Sequence, residues 1–402
     1  MNYFKKSIKK HASLLVIIVG AFSFFLSNII YKEIFSSKEY GYYSIFITYL
    51  SVIYLFGILG LEQNLLRFSF KKKDIIETQK TQIKLFYFVS ITNTLICSFL
   101  FYIFYSEIKI HFLLLLIASY CMIAQLFLSN LFRINTNFVF SQLAANSWKI
   151  LLLLLSIIFF IFNIQRFETL TLLISLSIII SFIIAKFFTK KYVIIKYNNN
   201  INDKSIFTSA FHFFISIFLF TILIFADRFI IEKKFSIEEF GDFFYLTNFF
   251  LAPFSIIQNY IGFKQLIHFK YNFSFSNFNR INFTNFIVGI FLAFVLVIFS
   301  VFLSNLKLIT FEFDAYFSEI LIILSIGIAR LFSSSILSAF EAKANIKTLR
   351  KSNVYIIIIT IFLLLIAYNF SNTITAILNC FLMVWVFRSL IHWYLLKKQF
   401  KI

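Results

Sequence analysis

The segment FSSKEYG fills positions 35–41 and FSIEEFG fills positions 235–241. Phe35, Ser36, Glu39 and Gly41 return as Phe235, Ser236, Glu239 and Gly241, and an aromatic residue, Tyr40 or Phe240, stands before each glycine. The copies are 200 positions apart in a chain of 402 residues, a spacing of half the length, which points to a duplicated unit. The residues around each copy decide what that unit is.

Sixty per cent of the residues are hydrophobic and only 13% are charged, which excludes an ordinary soluble domain. The apolar residues fall in blocks of roughly 17 to 26 positions, and a helix needs about 20 to cross the ~30 Å hydrocarbon layer. Lipid admits only helices or closed barrels, and a stretch such as LLLLLSIIFFIF (151–162) lacks the apolar–polar alternation of a barrel strand. The sequence therefore predicts an all-α polytopic membrane protein. Twelve spans are read near 12–31, 42–65, 84–105, 110–131, 137–162, 169–188, 206–226, 240–262, 284–304, 316–339, 353–369 and 373–394. The first follows MNYFKKSIKKH without a small-residue cleavage site and reads as a retained span. Six spans separate the two copies, and each copy lies on the turn between the first and second spans of a half. The architecture expected is two parallel six-helix lobes, residues 1–200, ending in a polar basic linker, and 201–402, related by a pseudo-two-fold axis along the membrane normal.

Charge orients the chain. The N-terminus, the loops after even-numbered spans and the C-terminus, counted with adjoining span edges, hold 26 of the 37 Lys and Arg, whereas the opposite loops hold eight. By the positive-inside rule both termini are cytoplasmic. The net charge of +20 is spread over short loops, which suits topology and anionic headgroups rather than nucleic acid, for which a basic patch on a soluble surface would be needed. Cys97, Cys121 and Cys380 are scattered within apolar blocks and suggest neither a metal cluster nor a disulfide framework.

None of the eight glycines forms a phosphate-cradling loop, and outer loops of at most about 15 residues leave little room for the acids and bases of an enzyme. The informative residues are ionisable groups inside the spans, since each is costly in lipid and usually faces the bundle interior. Lys149 sits about 13 residues from either end of its span, roughly 20 Å along the helix, beyond easy snorkelling. It reads as a cavity-lining cation, or alternatively as a buried partner of a polar neighbour. Arg330 lies slightly past mid-span, followed by Ser333, Ser334 and Ser335; Arg388 lies closer to a cytoplasmic end. Asp227 and Arg228 close the seventh span and point about 100° apart, towards different partners. Glu62 is read as an interfacial pair with Arg67, and the acids within the spans are Glu62, Asp242 and Glu319, each near a span end. Pro253, the sole proline, should kink the eighth span and mark a gating element.

Together SSKEYGYYSIF, LFGILGLEQNLLRF and ADRFIIEKKFSIEEFGDFFYLTNFF resemble the half-signatures of the polysaccharide repeat-unit flippases, the Wzx-type O-antigen and capsule transporters of the multidrug/oligosaccharidyl-lipid/polysaccharide superfamily, which is MATE-like. The resemblance covers essentially the whole chain. It implies two lobes around a cavity open alternately to each side, and transport of an oligosaccharide on undecaprenyl pyrophosphate across the bacterial inner membrane. It implies no cofactor and no enzyme activity, with the lipid-linked oligosaccharide, membrane lipids and other glycan-assembly membrane proteins as partners. Lys149, Arg330, Arg388, Asp227 and Arg228 are the candidate substrate-binding residues. A cation-coupled multidrug exporter, a glycan polymerase or ligase, and a generic sugar transporter stand as alternatives.

Overall fold

In the computed structural model each copy of the repeated segment starts a helix, and the repeated letters are its cap. Ser36 Oγ accepts from the Glu39 amide at 3.3 Å while Glu39 Oε2 accepts from the Ser36 amide at 3.1 Å. Ser236 and Glu239 make the same reciprocal pair at 3.2 and 2.9 Å. Each is a capping box, satisfying two amide donors that would otherwise face a helix end unpaired. Tyr40 and Phe240, the aromatic residues before the glycines, are fully buried.

The structure describes residues 2–73, 75–164, 166–198, 203–306 and 311–400, and the side chains at 2–11, 263, 264, 267, 270, 271 and 346 lie outside that description. Its helices are α1 (Asn2–Ile34), α2 (Ser37–Phe56), α3 (Leu61–Phe68), α4 (Lys80–Phe104), α5 (Phe112–Ile134), α6 (Phe138–Ile161), α7 (Phe167–Tyr192), α8 (Asp203–Lys234), α9 (Ile237–Tyr271), α10 (Phe275–Asn305), α11 (Phe317–Lys343), α12 (Ile346–Asn369) and α13 (Ile374–Gln399). Among the described residues twelve helical stretches are long and apolar enough to cross a membrane, with α2 and α3 together forming one. The chain is a multi-pass membrane protein.

By internal contacts the chain divides into two compact units, Met1–Thr221 and Ile222–Ile402. The division falls inside α8, whereas the sequence repeat breaks between residues 200 and 201. The start of α8 is held to the first unit: Asn64 Nδ2 donates to Ile206 O at 3.0 Å and Ser209 Oγ at 2.9 Å, and Gly60 abuts the Phe213 backbone. Within each unit the fourth span is the hub. In the first unit α5 packs against α2, α4, α6 and α7; in the second α11 packs against α9, α10 and α13. Polar side chains bridge these helices, as lipid-facing bundles require in the absence of a hydrophobic drive. Tyr49 OH is 2.9 Å from both Ser98 Oγ and Ser119 Oγ, and Asn285 Nδ2 donates to Ser335 Oγ at 3.0 Å. Small residues admit close approach: a Cβ on Gly20 would lie 2.5 Å from Asn146 Cβ, and one on Gly327 would lie 2.7 Å from the Phe254 ring.

Three features differ from the sequence reading. First, helices run past the apolar windows: α8 continues to Lys234 and α10 begins at Phe275, because hydropathy registers only the part in hydrocarbon. Second, the second span is broken. Leu59 and Gly60 have φ of 49° and 78°, and Asn93 Nδ2 caps the carbonyls of Phe56 and Gly57 at 3.3 and 3.1 Å where α2 stops. Third, the fold is not wholly helical. β1 (Phe70–Lys72) pairs antiparallel with β2 (Ile75–Thr78), and β3 (Ile194–Tyr197), in what was read as an irregular linker, pairs parallel with β2.

Candidate functional site

The charged residues singled out in the second unit gather around one indole. On α13 Trp385 and Arg388 are three positions apart and share a helix face, while α11 supplies Arg330 three residues after Gly327, where α11 lies against Phe254 of α9. The Arg330 guanidinium is 5.3 Å from the Trp385 ring centre and that of Arg388 is 5.6 Å from the same ring. Trp385 and Arg388 are buried. A desolvated cation–π contact is worth about 2 kcal/mol, which helps to hold two like charges at one ring.

Asp227 and Arg228 extend the cluster. The Arg228 amide donates to Asp227 Oδ1 at 2.8 Å, and the buried Asp227 carboxylate interacts electrostatically with Arg228 and Arg330. The Arg228 guanidinium lies over Phe244 at 5.0 Å and Phe225 at 5.5 Å. Asp227 and Arg228 therefore hold each other as well as their other neighbours, which corrects the separate partners expected from their helical spacing, and they do not close their helix. They stand inside α8, which ends at Lys234, so Asp227, just past the apolar window read from the sequence, is a buried carboxylate in a helix interior. Glu341 interacts electrostatically with Arg388. Three arginines against two carboxylates leave the site cationic, and among the described residues Arg330 Nε is buried without a hydrogen-bond partner. Such a group can donate to an oxyanion.

Lys149 belongs to the other unit. It is half-buried on α6, donates to Asn146 Oδ1 at 3.0 Å and lies 5.9 Å from the Trp148 ring. Among the described residues no carboxylate lies within ion-pairing distance of it. Glu62 is buried at the start of α3, and the Arg67 guanidinium lies 5.8 Å from the Phe68 ring. Pro253 stands inside α9, which runs as one helix through it. Sequence reasoning missed Trp385; its i, i+3 spacing to Arg388 was the available signal.

In sequence the chain matches no protein-family model and no curated protein. In structure it aligns over 98% of its length with 98% of a mutant of the Vibrio cholerae MATE transporter VcmN, at 12% identity and a TM-score of 0.59. It aligns over 96% of its length with 87% of the lipid II flippase MurJ in an inward closed conformation, at 15% identity and a TM-score of 0.61. The fold is MATE-like. A MATE structure in complex with MaD3S matches over 97% of this chain and 94% of that one, at 11% identity and a TM-score of 0.56. In this MATE-like fold the arginine cluster occupies the seventh, tenth and twelfth spans and Lys149 the fifth.

Proposed function

We propose that the protein is a flippase that carries an undecaprenyl-pyrophosphate-linked oligosaccharide repeat unit, for O-antigen or capsule, across the bacterial cytoplasmic membrane by alternating access. The observation that carries this reading is the arginine pair on Trp385, a cationic group buried among membrane-spanning helices of a fold that MurJ, a lipid II flippase, also has. Guanidinium groups suit pyrophosphate because their fork of donors matches paired phosphoryl oxygens. Arg330, Arg388 and Arg228 are assigned to the anionic head, with Asp227 orienting Arg330, and Lys149 to a second cationic station in residues 1–200. Pro253 is assigned to gating, both termini to the cytoplasm, and residues 1–200 and 201–402 to two parallel lobes.

One observation favours a second reading. Asp227 is buried inside α8, and an intramembrane acid is what a cation-coupled multidrug exporter needs. Proteoliposomes separate the two. The flippase reading expects a fluorescent lipid-linked oligosaccharide placed in one leaflet to become accessible to an impermeant quencher in the other. Quencher access no faster than in empty liposomes, with an ion gradient driving drug efflux instead, would replace it by the exporter. Formation of new glycosidic product in detergent would replace both by a polymerase or ligase.

A further inference from the structure

We propose that the three-stranded sheet is a docking face for anionic phospholipid headgroups of the leaflet on its own side of the membrane. The pairing registers place Phe70, Lys72, Ile75, Glu77, Ile194 and Lys196 on one face and Lys71, Ile76, Thr78, Ile195 and Tyr197 on the other. The second face is held by the first unit at Lys71, Ile76 and Thr78, while Tyr197 at its edge is exposed. Ile76 and Thr78 are fully buried, Ser69 Oγ donates to Thr78 Oγ1 at 2.9 Å, and Lys71 Nζ donates to Asn135 O at 2.9 Å. The first face is open, with Phe70 58% and Ile194 60% exposed and the Lys72 side chain 77% exposed.

An open face of this composition in a soluble domain would call for a protein partner, but chain geometry favours lipid here. Phe70 lies two residues beyond the end of α3, and Ile194 two residues beyond the end of α7. Two residues span at most about 7 Å. The headgroup layer on each side of the hydrocarbon core is of similar depth, about 5–8 Å. Both apolar side chains therefore stay near the membrane end of their spans, where an amphipathic surface inserts its apolar groups and sets its lysines against phosphate. Next to the strands in sequence stand Lys73, Lys190, Lys191 and the exposed Tyr192, residue types that suit a membrane interface. Glu77, which pairs with Lys72 at 3.8 Å, is the counter-charge on the face; Asp74 lies outside the described residues. The proposal does not depend on what the protein transports.

The experiment uses full-length protein in nanodiscs, with Phe70→Trp and Ile194→Trp as reporters and the parent, whose three native tryptophans set the background, subtracted. The probes are phosphatidylglycerol and phosphatidylcholine brominated high on the acyl chains. The expected result is extra quenching at both positions, stronger with brominated phosphatidylglycerol, and reduced several-fold in the same reporters carrying Lys72→Glu and Lys196→Glu. Equal quenching by the two lipids would overturn the anionic preference and with it the proposal. Emission quenched by aqueous iodide and untouched by either lipid would overturn it too, and would turn the face towards a cytoplasmic protein.

Discussion

Arg330 and Lys149 are both cations deep in their helices, yet their surroundings differ. Arg330 stacks on Trp385 and keeps a buried Nε without a partner, whereas Lys149 is hydrogen-bonded to Asn146 of its own helix. Losing one charge-assisted contact to a transported anion costs about 1.5–3 kcal/mol, or roughly ten- to a hundredfold in rate if the contact is made at the limiting step. Arg330→Ala should lower transport by that order while the protein still reaches the membrane in normal amount. Arg330→Lys should recover little, because a point charge cannot stack as the planar fork does. At Lys149 the expectation is graded: Lys149→Ala impairs transport and Lys149→Arg retains part of it. Complementation of a flippase-deficient strain, with membrane levels measured in parallel, reads all four variants. Surface glycan at the unmodified level in both alanine variants would remove these residues from the site.

The broken second span gives a sharper test at the level of the element. Gly60 has φ of 78°, and a Cβ there would lie 2.7 Å from the Phe213 carbonyl oxygen, so strain and a backbone clash coincide. Gly60→Ala should destabilise the protein by about 1–3 kcal/mol or more. Gly262 is the control. It lies inside α9, a Cβ there would meet only Ser338 Oγ at 3.9 Å, and Gly262→Ala should be neutral or stabilising by up to about 1 kcal/mol. Thermal unfolding in detergent measures both, and equal midpoints would show that the break carries no strain. The break also marks where sequence reading stopped. Residues 56–61, FGILGL, are apolar throughout, so hydropathy draws one continuous span. The glycines could have warned of the break, but nothing in the sequence places Phe213 beside Gly60. The repeated segments were read as a duplication and not as the capping boxes that their Ser-x-x-Glu spacing carries, whereas the span count was legible because twenty apolar residues have few other uses. The sheet was not, because β3 finds its partner more than a hundred residues away, and the arginine cluster was not, because α8, α11 and α13 meet only in space.

For the whole molecule the question is which loops share a side of the membrane, and local contacts answer part of it. β2 follows the second span and β3 follows the sixth, and their pairing puts both loops on one side. At the other end of that unit, Tyr42 OH donates to Glu107, and Lys109 Nζ lies 3.3 Å from Glu168, which joins the loops after the first, third and fifth spans. In the second unit Lys234 Nζ donates to Ser371 O, after the seventh and eleventh spans, while Gln399 Nε2 donates to Lys343 O at 2.8 Å, after the twelfth and tenth. Every one of these contacts links loops of the same parity, as twelve complete crossings require. They do not say which side is the cytoplasm. The proposed orientation comes from charge: 26 of the 37 basic residues belong to the even-numbered loops and the termini, the side that the positive-inside rule assigns to the cytoplasm. Reporter fusions at Lys72, Lys351 and Lys398 should therefore show cytoplasmic activity, and fusions at Glu107 and Ser371 periplasmic activity. A cytoplasmic signal at Ser371 beside one at Lys398 would mean that the last helix does not cross, and the parity seen in the Lys234–Ser371 and Gln399–Lys343 contacts would then have to arise without a twelfth span.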